Sequence, residues 1–297
     1  MLYKPLENEI TQVSRVKIKG FSYAALNEAA HSAVYGLITV IVSLLCDLKA
    51  ASVLSVYMMV TSLLSTTSNI AYTSFVPSYG SLMAEGDIKK VNKVFEIFQF
   101  LYINLNTFLF MCAAYLIIPF VKIYTAGVTD INYDNSLLMI LVIVYGAFYS
   151  YRVPYNNTVS VSGLFKETYL QPVICCIISI ILMFALSWIN YALILVGPIF
   201  FYLINAIYQH LILQRKIKGF NCNHALKHFF VSVLCISLAI IYYFINPLSP
   251  NNFIEWIFVG VVTGIVSMIL LILMNLLFDR SSFKMVYKFF KSKFIRG

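Results

Sequence analysis

Glu28 and His31 lie three residues apart in an otherwise apolar stretch, and Asn27, Ser32 and Tyr35 extend one polar face through the adjoining turns if that stretch is helical. A carboxylate and an imidazole at this spacing suit a proton or cation site, or the hydrogen-bonding wall of a solute cavity. A helix start among lipid headgroups, with Glu28 simply hydrated, fits the same residues. Arg152, in Tyr151-Arg152-Val153-Pro154-Tyr155, is the one basic residue placed within an apolar stretch. Its planar guanidinium suits a phosphate clamped by paired hydrogen bonds. It would equally snorkel to an interface where Pro154 ends or kinks the helix. A third polar feature is the run Ser62, Ser65, Thr66, Thr67, Ser68 and Asn69, with Thr73 and Ser74 beyond it and Pro77 set to break or kink the same helix. Small hydroxyl residues let helices approach closely, and a helix lining a cavity would look the same. Glu96 and Glu255 stand near the ends of apolar stretches, where a hydrated interfacial charge is the simpler reading.

The elements that must position these groups are membrane spans. Of 297 residues, 61% are hydrophobic and 11% charged, which leaves too little polar surface to coat a soluble globule. A bilayer core needs roughly 20 apolar residues per helix. Eight such stretches are present: 24–46, 53–75, 95–120, 137–160, 169–189, 191–213, 229–244 and 253–278. They are continuously apolar rather than alternating, so helices are predicted and a β-barrel is not. The expected fold is therefore an all-α polytopic membrane protein. A polar segment (1–20) precedes a six-helix lobe (21–213), two additional helices (214–280) and a basic tail (281–297).

The basic residues give an orientation. With a cytoplasmic N-terminus, only Lys49 and Lys122 of the 21 Lys and Arg lie on the far side, as the positive-inside rule requires, and an even helix count returns the C-terminus to the cytoplasm. The net charge of +9 is thus a topological signal, and no nucleic-acid partner is implied. The tail carries Phe283, Tyr287, Phe290 and Phe294 at helical spacing between its lysines, a pattern that would lie on an anionic leaflet, although a solvated end whose charges only fix topology also fits. Residues 1–20 lack the short apolar core of a cleavable signal. Six cysteines show no metal-ligand spacing and imply no disulfide framework. The sequon-like Asn156-Asn157-Thr158 falls at the cytoplasmic end of a span, where it carries no glycosylation.

No Walker loop, dinucleotide fingerprint or nucleophile elbow is present, so a soluble enzyme site, a cofactor and an intrinsic ATPase are not expected. Three ordered stretches carry a family resemblance: Asp47-Leu48-Lys49-Ala50-Ala51-Ser52-Val53-Leu54-Ser55-Val56-Tyr57; Ile123-Tyr124-Thr125-Ala126-Gly127-Val128-Thr129-Asp130-Ile131-Asn132-Tyr133; and Tyr151-Arg152-Val153-Pro154-Tyr155 leading to Ser162-Gly163-Leu164-Phe165-Lys166-Glu167-Thr168. Gly86-Asp87 followed by lysines adds to the pattern. In this order they resemble the C-terminal half of polysaccharide repeat-unit (O-antigen or capsule) flippases of the multidrug/oligosaccharidyl-lipid/polysaccharide superfamily.

The resemblance implies a bacterial inner-membrane protein whose lobe contributes to a central cavity. That cavity would move an undecaprenyl-diphosphate-linked oligosaccharide from the cytoplasmic to the periplasmic leaflet. The first lobe of such proteins has no counterpart here, which implies a second chain supplying it, a truncated product, or lost transport. Relatives carry a polar Thr-Asp pair in the first span where this chain has Leu37 and Ile38. The candidate substrate-binding residues are Arg152, Glu28, His31, Tyr35 and Asn69. A multidrug-type cation extruder would instead rest on Glu28. A membrane-embedded polymerase or acyltransferase fits less well, because the far-side loops are short and His31 has no evident partner base.

Overall fold

The computed structural model describes residues 4–222, 224–247 and 249–294. Among them, eight helices are long and apolar enough to cross a membrane, and the chain is an all-α, multi-pass membrane protein. The helices are α1 (Lys4–Leu45), α2 (Leu48–Glu85), α3 (Ile88–Tyr124), α4 (Ser136–Val161), the short α5 (Phe165–Thr168) running into α6 (Leu170–Ser187), α7 (Val196–Lys216), α8 (Ala225–Ile245), α9 (Phe253–Phe278) and α10 (Arg280–Phe294). A 3-10 turn, Tyr191–Leu195, leads into α7.

Local chemistry explains where these helices start and stop. The side chains of Asp47, Asp87, Asn135 and Asn252 each accept from a backbone N–H of the following first turn, satisfying a donor that has no partner inside the helix. At α9 the cap is reciprocal: Asn252 Oδ1 accepts from Glu255 N at 2.9 Å, while Glu255 Oε2 accepts from Asn251 N at 2.8 Å. Glu255 is thus an exposed capping residue. Gly86 ends α2 at φ +76°, a left-handed conformation that Gly adopts without steric penalty.

Several boundaries differ from those read in the sequence. α1 is continuous from Lys4, so the predicted break at residue 20 falls inside a helix; residues 1–3 lie outside the described residues. α2 runs past Pro77 to Glu85 and α4 past Pro154 to Val161, so neither proline ends its helix. The seventh span begins at Ala225 rather than 229.

α3 and α4 form the middle of the bundle. α4 packs on α2, α3 and α7, while α3 packs on α2, α4, α8 and α9. α1 closes one side against α6 and α2. In its most apolar window α3 is 56% buried, whereas α9 is 11% buried and turns most of its surface to the surroundings. α9 is tied to α3 by Asn275 Nδ2 donating to Asn104 Oδ1 at 2.6 Å and by Trp256 Nε1 donating to the Leu116 carbonyl at 3.2 Å. Inter-helix hydrogen bonds of this kind are worth about 0.6 kcal/mol on average inside a membrane. At Gly197 a Cβ would sit 2.5 Å from the Ser179 carbonyl oxygen, so only glycine lets α7 approach α6 this closely.

Alternating spans gather the loops at two ends. One holds Lys89, Lys90, Arg215, Lys216 and Lys218. At the opposite end both lysines are paired, Lys49 with Asp130 at 3.5 Å and Lys122 with Asp134 at 2.8 Å.

Candidate functional site

Glu28, His31, Tyr35, Asn69 and Arg152, singled out from separate parts of the sequence, line one cavity of about 310 Å³ bounded by α1, α2, α4 and α7. At 1.5 Å per residue, His31 lies roughly 21 Å and Arg152 roughly 24 Å along their helices from the end opposite the basic loops. The site is therefore at membrane depth, in the half of the bundle nearer the basic end. Glu28, Ser32, Tyr35, Ser62, Thr66 and Asn69 are exposed and form its open rim.

Arg152 forms the inner wall. It is 6% exposed, and its Nη1 lies 2.8 Å from Nε2 of His31, which is 7% exposed. Its guanidinium carbon stands 5.7 Å from the Tyr149 ring centroid and 5.5 Å from that of Tyr202. Tyr202 in turn stacks on His31, with centroids 5.9 Å apart and planes 5° apart, and Phe201 meets His31 edge-on at 4.8 Å. Arginine has only donors, so in this contact His31 Nε2 is the acceptor and is unprotonated.

The magnitudes show how a lone cation is tolerated here. Placing Arg at the centre of a spanning helix costs about 3 kcal/mol on insertion scales. One hydrogen bond contributes about 1 kcal/mol, and each cation–π contact about 0.5–2 kcal/mol. These offset the cost without a carboxylate, and among the described residues Arg152 makes no ion pair. Its Nε and the Nδ1 of His31 are buried without a hydrogen-bond partner. The cavity wall thus holds a positive charge with no counter-ion among the described residues and two buried donors without a partner.

The snorkelling alternative for Arg152 is set aside by this geometry, because the helix continues two turns beyond it and the side chain turns inward to His31. Asn27 departs from the predicted polar face. It is 1% exposed, is not part of the cavity lining, and donates to Glu28 Oε1 at 3.3 Å. The aromatic part of the wall, Tyr145, Tyr149 and Tyr202, was not singled out in the sequence. Tyr145, Tyr149 and Arg152 follow a helical i, i+4, i+7 spacing that would have marked one face of α4; Tyr202 comes from a distant helix and left no local signal.

Along α2 the hydroxyls bond mainly to their own helix. Thr66 donates to the Ser62 carbonyl, Thr67 to Leu63, Ser74 to Ile70 and Ser81 to Pro77, at 2.9–3.0 Å. Ser68 alone also crosses to α3, donating to Asn106 Oδ1 at 2.7 Å.

A second polar cluster, unread in the sequence, sits at the basic end. Asp279, between α9 and α10, is fully buried. His228 Nε2 lies 2.9 Å from its Oδ2, Ser282 Oγ donates to its Oδ1 at 2.8 Å, and His224 Nδ1 stands 3.8 Å away. Burial opposes ionisation of Asp279, but the hydrogen bond and charge of His228, with the Ser282 hydroxyl and backbone N–H, outweigh it and hold the carboxyl below its ordinary value. The cluster fixes the start of α10, whose Phe283, Met285, Val286 and Phe289 then pack near Ile97 and Phe100 of α3. Tyr287 of the predicted tail stripe is 63% exposed and turns away from this contact. The side chains of Phe290 and Phe294 lie outside the described residues.

No family model, curated protein or solved structure matches this chain. The fold and site define it as a polytopic helical membrane protein with an arginine-centred polar cavity at membrane depth.

Proposed function

We propose that this chain is a lobe of a membrane transporter that carries an anionic lipid-linked solute, and that the solute is an undecaprenyl-diphosphate-linked oligosaccharide repeat unit. The observation that carries this reading is Arg152: a buried guanidinium with no carboxylate partner among the described residues, on the wall of an open cavity. An ionisable group at membrane depth without a counter-ion marks a pathway or a ligand site. A diphosphate would complete its charge through guanidinium N–H groups. The hydroxyl and amide rim on α1 and α2 suits sugar hydroxyls, and the open side of the cavity leaves an apolar tail in the bilayer. The same openness favours a facing lobe, from a second chain, as partner. The basic end faces the cytoplasm of a bacterial cell in this reading, which puts both chain ends there and lets the anion enter from the side where the repeat unit is made.

A second reading, extrusion of an organic cation, rests on exposed Glu28 in the same cavity. Deleting the gene in its host and complementing with the wild-type chain or Arg152→Ala separates the two. Loss of surface polysaccharide restored by wild type but not by Arg152→Ala, at equal protein level, is the expected outcome. Full restoration by Arg152→Ala removes the arginine from the site.

A further inference from the structure

The contact between Arg152 and His31 makes one group's ligand depend on the other's proton. In the empty cavity Arg152 Nη1 donates to His31 Nε2, so that nitrogen's lone pair is occupied and the ring is neutral. Two buried donors beside it, Arg152 Nε and His31 Nδ1–H, have no partner. An entering dianion changes this balance. It draws the guanidinium N–H groups to its own oxygens, which frees Nε2, and it compensates the positive charge that makes a second cation beside Arg152 unfavourable.

We propose that anion binding in this cavity is coupled to the uptake of one proton by His31. The inference rests on the reading of the cavity as a diphosphate site. A hydronium ion or buffer acid in the water of the open cavity gives up the proton: its bond to hydrogen breaks, an Nε2–H bond forms on His31, and the conjugate base stays in solution. The Arg152–His31 hydrogen bond is exchanged for one bond from each residue to phosphate oxygens. The pair carries one positive charge when empty and two when loaded, matching the two charges of a diphosphate diester. The other ionisable groups facing His31 are Glu28 and Tyr35 on α1, Tyr145 and Tyr149 on α4 and Tyr202 on α7, with Tyr72 of α2 close enough to sense Arg152 and Glu28. The phenols are neutral near pH 7. Glu28 accepts from Asn27 and forms no ion pair with either member of the couple. By reciprocity, a site that gains one proton on binding loses affinity about tenfold for each unit of rising pH.

The test uses the full chain in lipid nanodiscs and, as probe, a short-chain isoprenyl diphosphate-linked N-acetylglucosamine, whose two charges do not titrate near neutrality. Calorimetry at one pH in buffers of different ionisation enthalpy counts the protons exchanged on binding. The expected result is uptake of about one proton by wild type. His31→Gln keeps a hydrogen-bond acceptor for Arg152 but no titratable site, and is expected to bind with no proton uptake and a flat pH profile. Binding by wild type without proton uptake overturns the coupling while leaving the site reading intact, as does proton uptake that persists in His31→Gln. Absence of wild-type binding, or undiminished binding by Arg152→Ala, overturns the site reading and the coupling together. If His31→Gln fails to fold, wild-type binding without proton uptake still overturns the coupling, and Glu28→Gln serves as the second variant: one proton still taken up by it supports His31, while uptake lost with Glu28 overturns the assignment.

Discussion

His31 and His228 are both buried beside a permanent or near-permanent charge, yet their neighbourhoods are opposites. His228 meets a carboxylate, Asp279, whose other oxygen is held by Ser282, and the whole group is closed to the outside. His31 meets a cation, and the pair stands on the wall of an open cavity with two buried nitrogens left without a partner. A carboxylate enclosed by an imidazole and a hydroxyl is compensated within the protein, even though His228 Nδ1 and His224 Nδ1 are themselves left without a hydrogen-bond partner. What sets the Arg152 site apart is a cation that no carboxylate among the described residues compensates, on the wall of an open cavity, which is the feature the proposed anion site rests on. The difference is one of charge compensation and access, and the proposed ligand role of the first site can be tested against the second.

The comparison is broken most forcefully at Arg152. Replacing it by Ala is expected to weaken binding of the diphosphate probe about a hundredfold, while Arg152→Lys, which keeps the charge but loses the planar fork, weakens it about tenfold. Titration calorimetry reads both. Next comes Asp279→Ala, which strands His228 in a dry site and is expected to cost about 3 kcal/mol of stability with little change in probe affinity. Adding His228→Leu removes the orphaned partner and recovers part of that loss, as thermal unfolding in detergent would show.

A third contrast is in pH. The folded value of Asp279 lies below that of the unfolded carboxyl, so its contribution is complete above the unfolded value of about 3.9 and is lost only as pH falls through the folded value. The carboxylate's contribution to docking of α10 is thus expected to weaken only below about pH 4, as proteolytic release of the tail would report. Probe affinity, in contrast, is expected to change across neutrality. The smallest effect expected is that of Glu28→Gln, less than about threefold on anion affinity, since an exposed carboxylate with no ion pair is screened by water. A larger effect would make Glu28 part of the receptor.

The eight spans were legible in the sequence because lipid allows only one economical solution for an apolar run of 20 residues. The five candidate residues were legible for a related reason: polar groups in apolar runs are conspicuous wherever they are. What the sequence withheld was pairing. Arg152 and His31 are 121 positions apart, and nothing local says that α1 brings one to the other. His228 and Asp279 sit at span edges, where charged and polar residues are ordinary, so their burial could not be suspected. Neither proline breaks its helix, because each removes only the one hydrogen bond to the carbonyl four residues earlier and a helix packed on its neighbours tolerates that loss.

The hydroxyls of α2 have one more consequence. Because most of them are satisfied by the carbonyls of the preceding turn, they make little demand on whatever lies opposite. Water, an acyl chain or another helix can each lie against those hydroxyls without leaving their donors unsatisfied, so this side of α2 does not dictate its neighbour.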